Sequence, residues 1–211
     1  MPKAFSEHEK ELILKRLLEQ GYKLFSVFGL KKTNIEEIAK AAGISKGAFY
    51  SFYDSKEALF LAVVEQSEDR VRQQILEAID LPGATARDRL LAVLKKAYAL
   101  FREIPTLQFI TGSDYDLLFR RIPTEKLQKH LTNDSAFIDR MFTHCREAGI
   151  PIQVPPEQIV ELLYPLTLCI LHEDDLKITG LRSNTDALLE LVAAYSLGEV
   201  RIQLPQGGNQ A

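Results

Sequence analysis

"TNIEEIAKAAGISKGAFYSFYDSKEALF", residues 33–60, brings two short helical patterns together across a glycine. Thr33 and Glu36 have the spacing of a capping box, Ile35, Ile38 and Ala42 recur on one face, and Gly43 ends the pattern. Ser45 can cap a second short helix running to about Phe52. A helix of about nine residues, a tight turn over "AGIS" and another short helix is the spacing of a helix-turn-helix. Ala39 is small where the two helices must cross, Gly43 takes a left-handed turn at little cost, and Ile44 fills the wedge. Phe49 faces inward with Ile35 and Ile38. Ser45, Lys46, Gly47 and Ala48 then occupy the exposed first turn of the second helix, the end that meets base edges in such motifs. Small side chains there let a backbone approach a duplex, and free N–H groups at a helix start favour phosphate. Tyr50 carries a hydroxyl that can reach a phosphate oxygen. One face of the stretch is small and basic, the other aromatic.

The rest of the chain also reads as helix. Ser6 with Glu9 is a capping-box signal, followed by Leu12, Ile13, Leu17, Leu18, Leu24, Phe25 and Phe28 at helical spacing up to Gly29. Asp54 and Ser55 open a long fourth helix that stops at "DLPG", and Thr85 with Asp88 opens a fifth to about Ile104. Shorter helices are expected over 114–121 and 125–131, another over 134–148, a helix interrupted by Pro165, and a last one in "SNTDALLELVAAYSLG". The fold class is therefore all-α: a three-helix helix-turn-helix domain over 1–54 (motif about 34–53), then a larger helical domain over 55–211.

Charge supports that division. The 211 residues hold 26 Lys and Arg against 29 Asp and Glu, net −3, so the chain as a whole lacks a basic signature. Residues 1–60 hold ten basic against eight acidic side chains, and the excess of acid lies beyond them. No apolar run approaches the roughly 20 residues of a membrane helix, and the charged start has no signal-peptide core. Cys145 and Cys169 make no disulfide framework and are expected as buried thiols of a cytoplasmic protein.

Residues 33–60 closely resemble the DNA-binding signature of TetR-family transcriptional regulators, a threonine followed by "IA..AG.S.G..Y..F.SK..L". Ile38, Ala39, Ala42, Gly43, Ser45, Gly47, Tyr50, Ser55, Lys56 and Leu59 stand at matching positions. Tyr53 replaces the more usual phenylalanine, and Phe52 stands where histidine or tyrosine is common; both keep the aromatic bulk. The "LF...G" of Leu24, Phe25 and Gly29 fits as well. About a quarter of the chain carries the resemblance. It implies that Thr33, Tyr50 and Lys56 touch phosphates while Ser45, Lys46, Gly47, Ala48 and Ser51 lie along the major groove. Lys46 can donate to guanine O6 and N7, or simply to a phosphate. The resemblance also implies a homodimer on a palindromic double-stranded operator, a repressor released by a small organic ligand, with 55–211 as the ligand-binding and dimerisation domain. The alternative is a ligand-independent architectural or interaction protein of the same fold.

Beyond residue 80 the physics of the side chains is the guide. Ile159, Leu163, Leu166, Leu189 and Val192 form stripes that could pair two subunits in a four-helix interface. Tyr98, Phe101, Phe109, Tyr115, Phe119, Phe137 and Phe142 crowd a region broken at Pro105, Gly112 and Pro123. An apolar pocket is expected there, with Tyr164 and Leu168 in its wall and Gln108 or His172 as polar handles, suited to an aromatic or amphipathic ligand. A solid aromatic core is the competing reading. "HEDD" at 172–175 reads as a solvated helix end rather than a metal site, and Asp114 and Asp116 diverge on a helix. No catalytic triad, phosphate loop or dinucleotide fingerprint is visible, so neither an enzyme nor a cofactor is expected.

Overall fold

The structure, a computed structural model, describes residues 5–104, 120–171 and 184–201. Every regular element among them is a helix: α1 Glu7–Lys32, α2 Ile35–Ala41, α3 Lys46–Phe49, α4 Lys56–Ile79, α5 Ala86–Glu103, α6 Thr124–Glu147, α7 Pro156–Leu171 and α8 Thr185–Ser196. Among the described residues no helix is long and apolar enough to cross a membrane.

The helix starts follow local chemistry. Ser6 and Glu9 close a reciprocal capping box, with the Ser6 N–H on the Glu9 carboxylate at 2.8 Å and the Glu9 N–H on the Ser6 hydroxyl at 3.2 Å. That backbone bond from Ser6 holds the Glu9 carboxyl below its ordinary pKa. Thr85 caps α5 through the Asp88 N–H, and Ser55 receives the Ala58 N–H in the first turn of α4. α1 does not end at Gly29, as its sequence pattern predicts. It breaks there, at φ 70° and ψ 178°, a conformation only glycine holds without strain, and a further turn carries it to Lys32.

Two expected helices, 125–131 and 134–148, are one. No glycine or proline separates them, and Asp134 is held by the Arg72 guanidinium while Phe137, Phe142 and Cys145 bury below it. The interruption expected at Pro165 is likewise absent, since α7 runs through it with the ring on the exposed side. Thr167 then returns its hydroxyl to the Leu163 carbonyl at 2.9 Å.

The chain forms two compact units. The first takes the chain up to Arg70 and adds the stretch from Glu103 to Leu131. Its core is Leu17, Phe25, Leu30, Ile38, Phe49, Leu59 and Phe60, with Phe25 and Phe60 edge to face at 5.0 Å. The second takes Val71–Arg102 and the chain from Thr132 onward. Its core includes Ile75, Ile79, Leu90, Val93, Phe142, Cys145, Ile150, Ile159 and Leu189. There the Arg89 guanidinium donates to the last carbonyl of α4, Ile79 at 2.9 Å, and to the Ala148 carbonyl just past the end of α6 at 2.7 Å. Such end carbonyls lack helical partners, and a cation suits their dipoles. α7 and α8 pack together, with the Tyr195 hydroxyl on Gln158 at 2.6 Å.

Candidate nucleic-acid interface

The motif begins one residue later than its sequence suggests. Asn34, not Thr33, caps α2, its side-chain oxygen accepting the Glu36 N–H at 2.9 Å. Thr33 is instead the C-cap of α1, 2% exposed, with its hydroxyl donated to the Gly29 carbonyl at 2.6 Å. A hydroxyl so committed serves the fold. Asparagine before an apolar pattern is itself a cap signal, hidden here by the threonine beside it.

The turn follows from Gly43, at φ 78°. Its left-handed conformation lets the Ile44 N–H reach the Ala39 carbonyl at 2.9 Å while the chain reverses. Ser45 caps α3 by accepting the Ala48 N–H at 3.1 Å. α3 is shorter than expected: it ends at Phe49, and residues 50–52 continue as turn. Phe49 is fully buried and its ring meets Tyr50 at 5.5 Å and Tyr53 at 6.1 Å. Burial, then the Glu65 carboxylate, pushes the Tyr53 phenol up.

The opposite face is open. Ser45, Lys46, Gly47, Tyr50 and Ser51 are exposed, and Ala48 is half-buried. The Lys46 ammonium lies 3.4 Å from the Glu36 carboxylate, both largely in water. Such a pair contributes at most about 1 kcal/mol, so Lys46 is readily redirected to a stronger anion.

Gly47 is the informative position. A Cβ built there meets only the Ser45 hydroxyl, at 3.9 Å, and the backbone is ordinary helix. Nothing in the chain itself calls for glycine, which costs about 1 kcal/mol against alanine in a helix. A surface that keeps glycine against its own propensity is shaped for something that approaches the backbone closely.

Lys56 begins α4, and its ammonium donates to the Thr33 carbonyl at 2.8 Å and the Lys31 carbonyl at 3.3 Å. It ties the start of α4 to the end of α1. Beside it lies an open groove of about 410 Å³, lined by Lys31, Ile35, Tyr50, Asp54, Ser55, Lys56, Glu57 and Arg121. Neither Lys31 nor Arg121 is legible as a site residue in the sequence. Arg121 in particular comes from a stretch far along the chain with no motif to mark it.

The other expected sites fare unevenly. Gln108, Phe109, Tyr115, Phe119 and His172, with the side chains of Tyr164 and Leu168, lie outside the described residues. Tyr98 and Phe142 are buried, Phe101 is half-buried, and the Tyr98 hydroxyl donates to the Leu166 carbonyl. A second groove, about 610 Å³, is lined by Gln73, Leu76, Glu77, Asp80, Asp139, Arg140, Thr143, His144 and Glu147, none of them from the aromatic set. Of the stripe expected to pair subunits, Ile159, Leu166, Leu189 and Val192 are already buried within the single chain. Leu163 is half-buried, whereas Leu188 and Leu191 are 43% and 53% exposed.

Known proteins agree with this geometry. Residues 17–63 match the family model of bacterial regulatory proteins, tetR family. The uncharacterised HTH-type transcriptional regulator YuxN of Bacillus subtilis is 34% identical over 131 residues, 58% of this chain and 44% of that protein. The HTH-type transcriptional regulator AcrR of Shigella flexneri is 28% identical over 148 residues, 68% of each. The chain thus spans under half the length of YuxN and about two thirds of AcrR. Among solved structures, a TetR-family transcriptional regulator from Mesorhizobium loti has a TM-score of 0.60 at 21% identity, covering 92% of this chain and 96% of its own. FadR from Bacillus subtilis, in complex with stearoyl-CoA, has a TM-score of 0.58 at 16% identity, covering 89% and 99%. Both share the fold. The matched signature lies on the α2–turn–α3 unit just described, so residues 17–63 carry the helix-turn-helix of bacterial regulatory proteins of the tetR family.

Proposed function

We propose that this chain is a sequence-specific DNA-binding transcriptional regulator, a repressor that sits on a palindromic operator as a homodimer and leaves it when a small organic ligand binds. Residues 1–54 meet the DNA, and 55–211 hold the ligand and the partner subunit. The observation that carries the DNA part is Gly47, exposed at the start of α3 with open space where a side chain could stand. Ser45, Lys46, Ala48 and Ser51 flank it as groove-facing residues, and the Tyr50 hydroxyl reaches a phosphate. Lys56 keeps this surface in register through Thr33.

Leu188 and Leu191, apolar and exposed on one face of α8, support a subunit contact through that helix, to which the half-buried Leu163 of α7 is added. The ligand part rests on the aromatic richness of 98–142 and on the fold shared with FadR, which has been captured with the amphipathic stearoyl-CoA. An effector releases DNA only by preferring the conformation whose recognition helices are badly spaced.

The test is selection of duplexes from a random library by the whole protein, followed by footprinting. A two-fold symmetric sequence protected over two adjacent major grooves is the expected result. A library that emerges unenriched refutes the proposal.

A further inference from the structure

We infer that Arg121 is a DNA-phosphate contact supplied from outside the helix-turn-helix. The inference rests on the DNA-binding reading above and extends it to a residue 71 positions beyond Tyr50 in sequence.

Four observations support it. Arg121 lines the same open groove as Tyr50, Lys31 and Lys56. Its side chain is 64% exposed, so the guanidinium is presented to solvent rather than consumed by the fold. The carboxylate that faces it belongs to Glu57, 8% exposed, at 3.9 Å, long for a bidentate pair. Glu57 therefore steers the guanidinium without saturating its five donors. The charges facing the groove are Lys31, Lys56 and Arg121 against Asp54 and Glu57, an excess of one positive charge. Asp54 is itself engaged by Lys126 at 3.2 Å, which leaves the groove more positive than that balance suggests.

A phosphodiester beside Tyr50 fits this chemistry: the phenol donates one bond, and the guanidinium fork addresses two oxygens of one phosphate. The contact reads no base. It adds grip, and it makes the DNA sense the position of the 120–131 stretch directly rather than only through α4.

The experiment uses whole protein and the duplex that wild type selects from a random library. For Arg121→Gln, the slope of log affinity against log salt becomes shallower by about 0.9 for each phosphate that is no longer neutralised. Affinity falls equally for the selected duplex and its single mismatches. Arg121→Lys keeps the slope, because the charge remains, but binds more weakly. A series of duplexes, each with one methylphosphonate in place of a phosphate, then locates the contact. At one position per half-site the neutral group weakens wild type and leaves Arg121→Gln unaffected. Equal slopes for wild type and Arg121→Gln, or methylphosphonate penalties identical for both at every position, overturn the inference while leaving the helix-turn-helix reading intact. Melting temperatures measured beside them fix a temperature at which all variants are folded. Failure to select any duplex refutes DNA binding itself, a separate outcome.

Discussion

The Lys56 ammonium donates to the Thr33 carbonyl at 2.8 Å, joining the first residue of α4 to the last cap of α1. Thr33 in turn gives its hydroxyl to the Gly29 carbonyl at 2.6 Å. These bonds hold α4 against the junction from which α2 departs, so the exposed face of α3 inherits its position from the lysine and threonine that make them.

Thr33→Val keeps the shape and removes the donor, leaving the buried Gly29 carbonyl short of a partner. Stability should fall by about 1–2 kcal/mol in urea titration. Lys56→Met should lower stability and DNA affinity together; weaker affinity with an unchanged urea midpoint would show that Lys56 acts only as a phosphate contact.

Gly47→Ala separates function from fold in the other direction. The Cβ has room within the chain, and the helix gains propensity of up to about 1 kcal/mol. The variant should melt at or above the wild-type temperature and bind the selected duplex at least tenfold more weakly, measured by fluorescence anisotropy. Unchanged affinity would remove the close-approach argument.

Arg89→Met deletes a guanidinium that satisfies the final carbonyl of α4, at Ile79, and the Ala148 carbonyl just past α6. Two charge-assisted bonds disappear at once, so destabilisation of about 2–4 kcal/mol is expected by chemical denaturation. A change below about 0.5 kcal/mol would mean that water replaces both bonds without penalty.

Cys145 is 1% exposed, and burial pushes its thiol up from about 9 to about 11, against smaller opposite effects of Arg146 and Arg89. A folded-state pKa above the unfolded one stabilises the protein fully below pH 9. That contribution fades as pH rises from 9 towards 11, since only the unfolded chain readily ionises. In a Cys169→Ser background the remaining thiol should resist a disulfide reagent at pH 8 until denaturant is added. Rapid reaction of native protein would contradict the burial.

Leu191→Lys and Leu189→Lys differ by two positions and should fail differently. Leu191 is 53% exposed, so a lysine there is tolerated by the protomer and should halve the mass seen by light scattering. Leu189 is 1% exposed, and a lysine buried there should unfold α8, read as a drop in helical circular dichroism. A Leu191→Lys protein that remains dimeric would move the subunit contact away from α8.

The helix-turn-helix was legible in the sequence because its determinants are local. A capping side chain, a glycine at positive φ and a buried aromatic four residues after a cap act within one or two turns of backbone. The capping box of Ser6 and the cap of Thr85 were legible for the same reason. Even there, Thr33 and Asn34 exchanged roles, since two adjacent residues can both cap and only the course of α1 past Gly29 decides which is free to do so.

What tertiary structure alone decided is everything that depends on partners far apart in the chain. Periodicity marks Leu188, Leu189, Leu191 and Val192 as equally apolar, but packing against α7 takes Leu189 and Val192 inside and leaves the other two in water. Thr132 and Asn133 read as a break until Asp134 and Phe137 find Arg72, which extends over the Phe137 ring at 5.6 Å and keeps the helix whole. Arg121 has no local signature at all: a lone exposed arginine becomes a site residue only when folding sets it beside Tyr50 and Glu57. What each residue does to its own backbone can be read from its neighbours in sequence; which side chains meet across sixty positions is settled by the competition to fill one core.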